Sequence, residues 1–280
     1  VTDGLAVVDK PAAWTSHDVV ARCRKIFGQK RVGHSGTLDP DATGVLLVGL
    51  GRVTRLLRYL TALPKSYVGE VVLGTATSTL DAAGDVLARF DMGHVTLADV
   101  QAAATAFTGD IEQVPPMVSA VKIGGRRLHE LARKGEEVER APRPVTVHRL
   151  DVSDGPDAGV FTLEVDCSSG TYIRTLAADI GAALGGGAHL RNLRRTAIGS
   201  FTLDDATPLE ALTPDTFVDA AVALRDYPSA AVSGDELVAV GYGRPIAATH
   251  EGPWGVLDDH GRLLAVYEGA RPSVVLAPAQ

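Results

Sequence analysis

The longest apolar candidate in the chain, Gly44-Val-Leu-Leu-Val-Gly-Leu50, has seven residues, against roughly 18 needed for a membrane span. It follows Gly33 to Pro40, where two glycines, a serine, a threonine and a proline leave no room for regular structure. A short, continuous apolar run behind such a loop reads as a strand covered on both faces. Burying it requires a sheet with further elements packed over it, and the rest of the chain supplies both kinds.

Gly4 to Lys10 is a second apolar run, stopped by Pro11, so Lys10 falls at a strand end. Ser16 is placed to cap a helix with Val19, Val20, Cys23, Ile26 and Phe27 at helical spacing, and Arg22, Arg24 and Lys25 fall mostly on its other side. Val53, Leu56, Leu57 and Leu60 form another helical pattern, with Arg52, Arg55 and Arg58 as a stripe at three-residue spacing. Tyr67 opens an alternating strand to Leu73, Val95 to Phe107 returns to helical periodicity, and Val160 to Cys167 alternates again. Ser168-Ser-Gly-Thr-Tyr172 then turns the chain into a helix marked by Ile173, Leu176, Ala177 and Ile180. After Pro208 a helical pattern is expected to Leu224, followed by short strands around Leu237, Trp254 to Leu257 and Leu263 to Tyr267. The pattern implies an α/β chain (α+β, mixed sheet) of two domains, 1–227 and a small β-rich domain at 228–280, with a basic insertion at about 121–146 in the first.

Charge is distributed unevenly. The whole chain carries −7. Arg22 to Lys65 holds nine basic residues against Asp39 and Asp41, whereas residues 201 to 280 hold four arginines against twelve acids. Phosphate attraction acts over about 8 Å, so a locally basic face on an acidic protein can bind a polyanion; a set of solvated helix faces accounts for the same residues. Cys23 and Cys167 are the only cysteines, too few for a disulfide framework or a cysteine-rich zinc site. The N-terminus lacks a basic-then-apolar signal pattern, and a cytoplasmic protein is expected.

Motifs for nucleotide hydrolysis, dinucleotide binding, zincin proteolysis and the nucleophile elbow are missing. What remains is the loop Gly33-His-Ser-Gly-Thr-Leu-Asp39-Pro-Asp-Ala-Thr-Gly44. A carboxylate shielded from water and paired with a guanidinium stays ionised and oriented, which makes it a covalent nucleophile. An isolated Asp-Pro also reads as a turn, with the carboxylate bonded to backbone.

Three motifs occur in order: Lys10-Pro11, Gly36-Thr-Leu-Asp39-Pro with Ala42-Thr-Gly44, and Ser169-Gly-Thr-Tyr-Ile-Arg174. Together they resemble the signatures of pseudouridine synthases. The Tyr67 strand and Pro115 to Lys122 resemble the bacterial TruB branch, which acts on uridine 55 of tRNA. The resemblance covers residues 4 to 200 and implies the pseudouridine synthase fold. The acidic tail is less clearly similar to the family's small RNA-binding (PUA-like) domain.

By that resemblance Asp39 is the catalytic aspartate. It attacks the target uridine, the C1′–N1 bond breaks and a C1′–C5 bond forms; attack at C6 of the base and attack at C1′ both fit. Arg174 matches the arginine that pairs with it, and Tyr67 the aromatic that stacks on the uracil and takes part in proton removal from C5. Tyr172 matches a second site tyrosine and Leu193, read as lying on a helix, a residue lining the uracil pocket. His34 matches a histidine near the space vacated by the flipped nucleotide, and Lys10 supports the site rather than reacting. The implied partner is tRNA, through its T stem-loop, gripped by the basic insertion and by Arg52, Arg55 and Arg58. No cofactor or metal is implied, nor a membrane or an obligate protein partner; a monomer is expected. An RNA-folding factor with secondary catalysis is disfavoured by the complete motifs, and a nucleoside glycosidase by the basic insertion.

Overall fold

The structure is a computed structural model that describes residues 2–119, 122–123, 126–128, 136 and 138–277. In chain order its main elements are β1 (Gly4–Lys10), α1 (Ser16–Ile26), β2 (Val32–His34), β3 (Thr43–Leu50) and α2 (Leu57–Ala62). There follow β4 (Lys65–Leu73), α3 (Leu97–Thr105), β5 (Gly109–Gln113), β6 (Arg143–Asp154), β7 (Val160–Cys167), α4 (Ile173–Ala183) and β8 (Ala188–Ile198). The C-terminal part holds β9 (Ser229–Ala231), α5 (Gly234–Gly241), β10 (Pro253–Leu257), β11 (Leu263–Glu268) and β12 (Arg271–Val275). No helix among the described residues is long and apolar enough to cross a membrane. The chain divides into two compact units, one built from residues 1–40, 44–62 and 198–280 and the other from 41–43 and 63–197.

In the first unit β1 runs antiparallel to β3, with Leu5 opposite Gly49 and Asp9 opposite Val45, and β2 lies antiparallel to the end of β3. Thr207–Pro208 adds a short parallel strand to β1. The continuous apolar run is thus an inner strand, and Val45 to Val48 are fully buried as expected. Helix α1 covers one face with Val19, Val20, Cys23 and Phe27, packed on Ala6, Val8, Leu46 and Val48; each buried aliphatic contributes roughly 1.5–3 kcal/mol. Its cap is Thr15, not Ser16. Thr15 and Asp18 form a capping box, while Ser16 turns inward.

The C-terminal strands form a separate sheet, ordered β9-β10-β11-β12, with β9 parallel to β10 and the others antiparallel. Trp254 and Tyr267 are its buried anchors, and their polar ends are satisfied by the carbonyls of Gly269 and Arg244 at 2.9 and 2.7 Å. The strand expected around Leu237 is instead α5, whose first turn carries Asp235 and Glu236 where the helix dipole favours anions. The helix expected up to Leu224 is broken into the 3₁₀ turn Leu209–Ala211, the strand Val218–Asp219 and the short helix Ala220–Ala223. The Arg52, Arg55 and Arg58 stripe is also not as expected. Arg52 and Arg55 donate to the carbonyls of Leu276 and Val275, both at 2.5 Å, and Arg58 bonds the Ser273 hydroxyl and lies 3.6 Å from Glu268. These guanidinium groups tie the 3₁₀ turn Gly51–Leu56 and α2 to the C-terminal sheet.

In the second unit the strand order is β8-β4-β7-β6-β5. Strands β4 and β7 pair antiparallel along their length, from Lys65 opposite Cys167 to Val72 opposite Val160. Val71, Leu163, Val165, Cys167, Leu176, Ala177 and Ile180 form the core between this sheet and α4, joined by Val100 of α3. Leu193, read as lying on a helix, stands instead on the strand β8. Asn192 sits in the left-handed region at φ +52°, which breaks the alternation that would have marked it. Strand β6 begins at Arg143, within the stretch read as insertion, and before it the described residues include the two-stranded pair Lys122–Ile123 and Arg126–Arg127.

Lys65 opens β4 with its side chain buried and its Nζ donating to Leu63 O at 2.6 Å. Burial above all, and then the Arg195 guanidinium, pull its ammonium down to about 8 from 10.5. The folded state therefore binds fewer protons than the unfolded state between about pH 8 and 10.5, and this group's contribution to stability rises with pH across that window. Replacement by methionine removes the rise. Denaturant unfolding should show the stability of Lys65→Met relative to the parent falling by up to about 3 kcal/mol from pH 8 to 10.5; a difference independent of pH would mean that Lys65 is not held below its ordinary range.

Candidate active site

Lys10, His34 and Asp39 lie in the first unit, and Tyr67, Tyr172, Arg174 and Leu193 in the second.

The first group is built around the loop between β2 and β3. Lys10, at the end of β1, has no exposed surface, and its ammonium donates to three carbonyls, those of Pro11 at 2.9 Å, Trp14 at 2.6 Å and Pro40 at 2.9 Å. Ser16, at the start of α1, uses its hydroxyl twice: Leu38 N donates to it at 2.9 Å, and it donates to Leu38 O at 3.2 Å. Asp39 is therefore flanked by two anchored residues, Leu38 held by α1 and Pro40 by the end of β1. Hydrogen bonds from a charged donor contribute about 1.5–3 kcal/mol each, and the buried carbonyls would be costly to leave unpaired. A side chain on so constrained a backbone has few directions available, as the positioning of a nucleophile requires. The Asp-Pro turn and the nucleophile are thus compatible readings of one loop.

His34, half-buried at the end of β2, accepts the Gly36 N–H at its Nδ1 over 3.2 Å. That bond places the ring proton on Nε2. Its ring meets His17 of α1 edge-on, with centroids 5.6 Å apart. Next to it the Ser35 hydroxyl is buried, with no hydrogen-bond partner among the described residues.

In the second unit Tyr67 stands on β4 opposite Val165, half-buried against the core. Two residues on, Gly69 allows a close approach of β8: a methyl there would sit 3.2 Å from the side chains of both Leu190 and Leu193. Leu193 packs against the same core as Tyr67, from a strand rather than a helix. Tyr172 precedes α4, and its peptide is clamped by buried Gln113, which accepts from Tyr172 N at 2.9 Å and donates to Tyr172 O at 3.3 Å. Arg174, in the first turn of α4, is buried, and its two terminal nitrogens donate to the carbonyls of Thr79 and Val118, both at 2.8 Å. Asp81 lies 3.4 Å from the same guanidinium.

The sequence reading missed Ser16 as an anchor, Gln113 as a clamp, and Asp81 with Thr79 as neighbours of Arg174. Asp81 had only a polar turn, Ser78-Thr-Leu-Asp81, to mark it. Both cysteines are buried and free, and burial raises each thiol to about 11, so neither presents a thiolate at neutral pH.

Comparison with known proteins places this chain in a family. Residues 24–173 match the N-terminal domain of TruB family pseudouridylate synthases, and residues 174–227 match the C-terminal domain of tRNA pseudouridylate synthase B. The chain is 48% identical to the tRNA pseudouridine synthase B of Mycobacteroides abscessus over 288 residues, 99% of this chain and 97% of that protein. It is 47% identical to the enzyme of the same name from Thermobifida fusca, over 99% of both chains. Among solved structures, a chain of a Cbf5-Nop10-Gar1 complex superposes with a TM-score of 0.75 at 26% identity, covering 99% of this chain and 84% of that one. With its two domain matches and near-complete alignment to these enzymes, the chain belongs to the TruB family of pseudouridylate synthases.

Proposed function

We propose that this protein isomerises uridine to pseudouridine at position 55 in the T loop of tRNA. The observation that carries the reading is the anchored Asp39 loop, in a chain nearly half identical to tRNA pseudouridine synthases along its whole length. The reaction exchanges a C1′–N1 bond for a C1′–C5 bond and moves one proton from C5, with no net redox change. What it asks of the protein is a fixed nucleophile, a way to hold a detached uracil while it turns, and a grip on the RNA.

Asp39 is the nucleophile in this reading, at C6 or at C1′. Its target must leave the base stack, and an aromatic face worth roughly 1–3 kcal/mol offsets part of the lost stacking. Tyr67 supplies that face and takes part in removing the C5 proton. Tyr172, its peptide fixed by Gln113, orders the surroundings of the base, and Leu193 lines the uracil pocket. His34, its ring steadied through Gly36 and His17, occupies the space left by the extruded nucleotide. Lys10 holds the loop, and Arg174 serves the carboxylate as its guanidinium. The tRNA T stem-loop is bound as a loop whose bases can be splayed out, the form in which RNA is read by sequence. The insertion at about 121–146 contributes phosphate contacts. Within it Arg126 is paired with Glu136 at 3.2 Å, and Arg133 and Lys134 lie outside the described residues.

Residues 1–227 act as the catalytic domain and 228–280 as a small PUA-like domain. The chain works as a cytoplasmic monomer.

The reading is tested on an unmodified tRNA transcript whose pseudouridines are mapped nucleotide by nucleotide after incubation with the protein. Pseudouridine at position 55 is expected. An unchanged transcript, or release of free uracil, would overturn it. Asp39→Asn keeps the shape and removes the nucleophile's charge, so single-turnover isomerisation should fall by a factor on the order of 10⁴ or more with little change in tRNA affinity; substantial residual turnover would remove Asp39 from the role. Arg174→Lys replaces a fork that reaches two carbonyls at once by a point charge. Losing one such bond costs about 1.5–3 kcal/mol, and the rate should drop roughly 10- to 100-fold. A near-parental rate in Arg174→Lys would show that the fork is not needed.

A further inference from the structure

In this acidic protein several surface arginines are neutralised by its own carboxylates. Arg149 is held by Asp151 at 2.5 Å and Asp166 at 2.7 Å, Arg191 by Glu70 and Asp157 at 2.5 and 2.6 Å, and Arg225 by Asp205 at 2.7 Å. Arg52, Arg126 and Arg262 are likewise paired, with Asp3, Glu136 and Asp258. The C-terminal end of α1 is different. Arg22, Lys25 and Lys30 are exposed, and among the described residues their side chains make no hydrogen bond or ion pair. The acid of that helix, Asp18, is turned back to the N-terminal cap, where one of its oxygens accepts from Thr15 N at 2.9 Å and from Thr15 Oγ1 at 2.6 Å.

Helical geometry groups these charges. Val19, Val20, Cys23 and Phe27 face the core, and Arg22 and Lys25, three residues apart, share the opposite face. Arg24 folds over the end of the helix and donates to the carbonyls of Lys30 and Val32 at 3.1 and 3.3 Å. Its contact brings the Lys30 backbone against the last turn, next to the exposed Arg31. Cations at a helix C-terminus also complement the helix dipole, which contributes about 0.3–1 kcal/mol, but that effect leaves their outer hemisphere to solvent.

The other end of α1 touches the Asp39 loop through Ser16 and Leu38. At 1.5 Å per residue, Arg22 and Lys25 stand about 9 and about 14 Å along the axis from Ser16. One rigid helix thus links the nucleophile's loop to a cluster of free cations within the span of a few nucleotides.

We infer that the basic end of α1, formed by Arg22, Lys25 and Lys30, is a binding surface for tRNA backbone phosphates close to the target uridine. This rests on the tRNA reading and specifies where the first unit grips its substrate. The contact is electrostatic and blind to sequence, so it positions the RNA without selecting the base.

The probes are a tRNA transcript and its isolated T stem-loop, titrated at several salt concentrations with a triple variant, Arg22→Gln with Lys25→Gln and Lys30→Gln. Each lost phosphate contact lowers the log–log salt slope by roughly 0.7–0.9, so a drop of about 2 to 3 is expected, on the short stem-loop as well as on whole tRNA. Lys30→Glu alone should weaken binding more than Lys30→Gln. Arg149→Gln, at an arginine already neutralised by Asp151 and Asp166, should leave the slope unchanged. A triple variant that folds like the parent and keeps the parental slope would overturn the inference, as would an equal loss in Arg149→Gln or a loss seen with whole tRNA only. Pseudouridine formation by the parent protein is read in parallel: its failure points to the proposed function, an unchanged slope to this surface alone.

Discussion

The site depends on the two-sided anchoring of the peptide around Asp39. Its loop is rich in glycine and would wander if left to itself, because each unconstrained residue keeps roughly 1–2 kcal/mol of backbone entropy to be lost on ordering. Lys10 and Ser16 remove that freedom from opposite flanks, one through Pro40 O and the other through both polar groups of Leu38. Each belongs to a regular element buried in the first unit's core, so loop geometry is inherited from packing. The Lys10 ammonium also joins the carbonyls of Pro11 and Trp14 to the same point, which makes the turn after β1 and the Asp39 loop a single hydrogen-bonded body. Gln113 at Tyr172 and the Thr79 and Val118 carbonyls at Arg174 do the same for the second unit. In the proposed mechanism Asp39 and Tyr172 are borne by a loop and an element end, and buried polar residues fix their backbones.

Much of the fold was legible because its strands and helices carry their own periodicity. Val160–Cys167 alternates, Gly44 to Leu50 is continuously apolar, and α4 repeats Ile173, Leu176, Ala177 and Ile180. Errors arose where local pattern and tertiary context part company. In β8 the side chain of Arg191 binds Glu70 and Asp157 and Asn192 has positive φ, so polar residues occur in a strand where alternation would place them at random. In α5 a strand was expected around Leu237, but two acids in the first turn favour a helix, which buries Val240. The Arg52, Arg55 and Arg58 stripe was visible as spacing; its partners lie more than 200 residues away and could not be read from it.

The site shows the same division. Lys10, Asp39 and Arg174 stand in recognisable motifs, whereas Ser16, Gln113 and Asp81 act through contacts between distant segments and leave almost no local trace. Charge behaves likewise: composition gave an acidic chain with a basic segment, but only the structure separates cations already satisfied at home from those left open. The arginines of the 3₁₀ turn and α2 hold the C-terminal sheet, and Arg149 on β6 and Arg191 on β8 are matched by nearby carboxylates. A sequence sum treats all of these as equivalent.

If the two anchors act on Asp39 together, they should be coupled energetically and their loss should appear in the chemical step. The direct measurement is a double-mutant cycle of Lys10→Met and Ser16→Ala, read as single-turnover pseudouridine formation at saturating tRNA alongside tRNA affinity. Misplacing a reacting group by about 1 Å costs on the order of 100-fold in rate. Each single variant should therefore slow the chemical step by about 10- to 100-fold with affinity nearly unchanged, and the double variant should lose less than the product of the two. Independent, multiplicative losses, or losses confined to affinity, would contradict a single clamp on the nucleophile's loop.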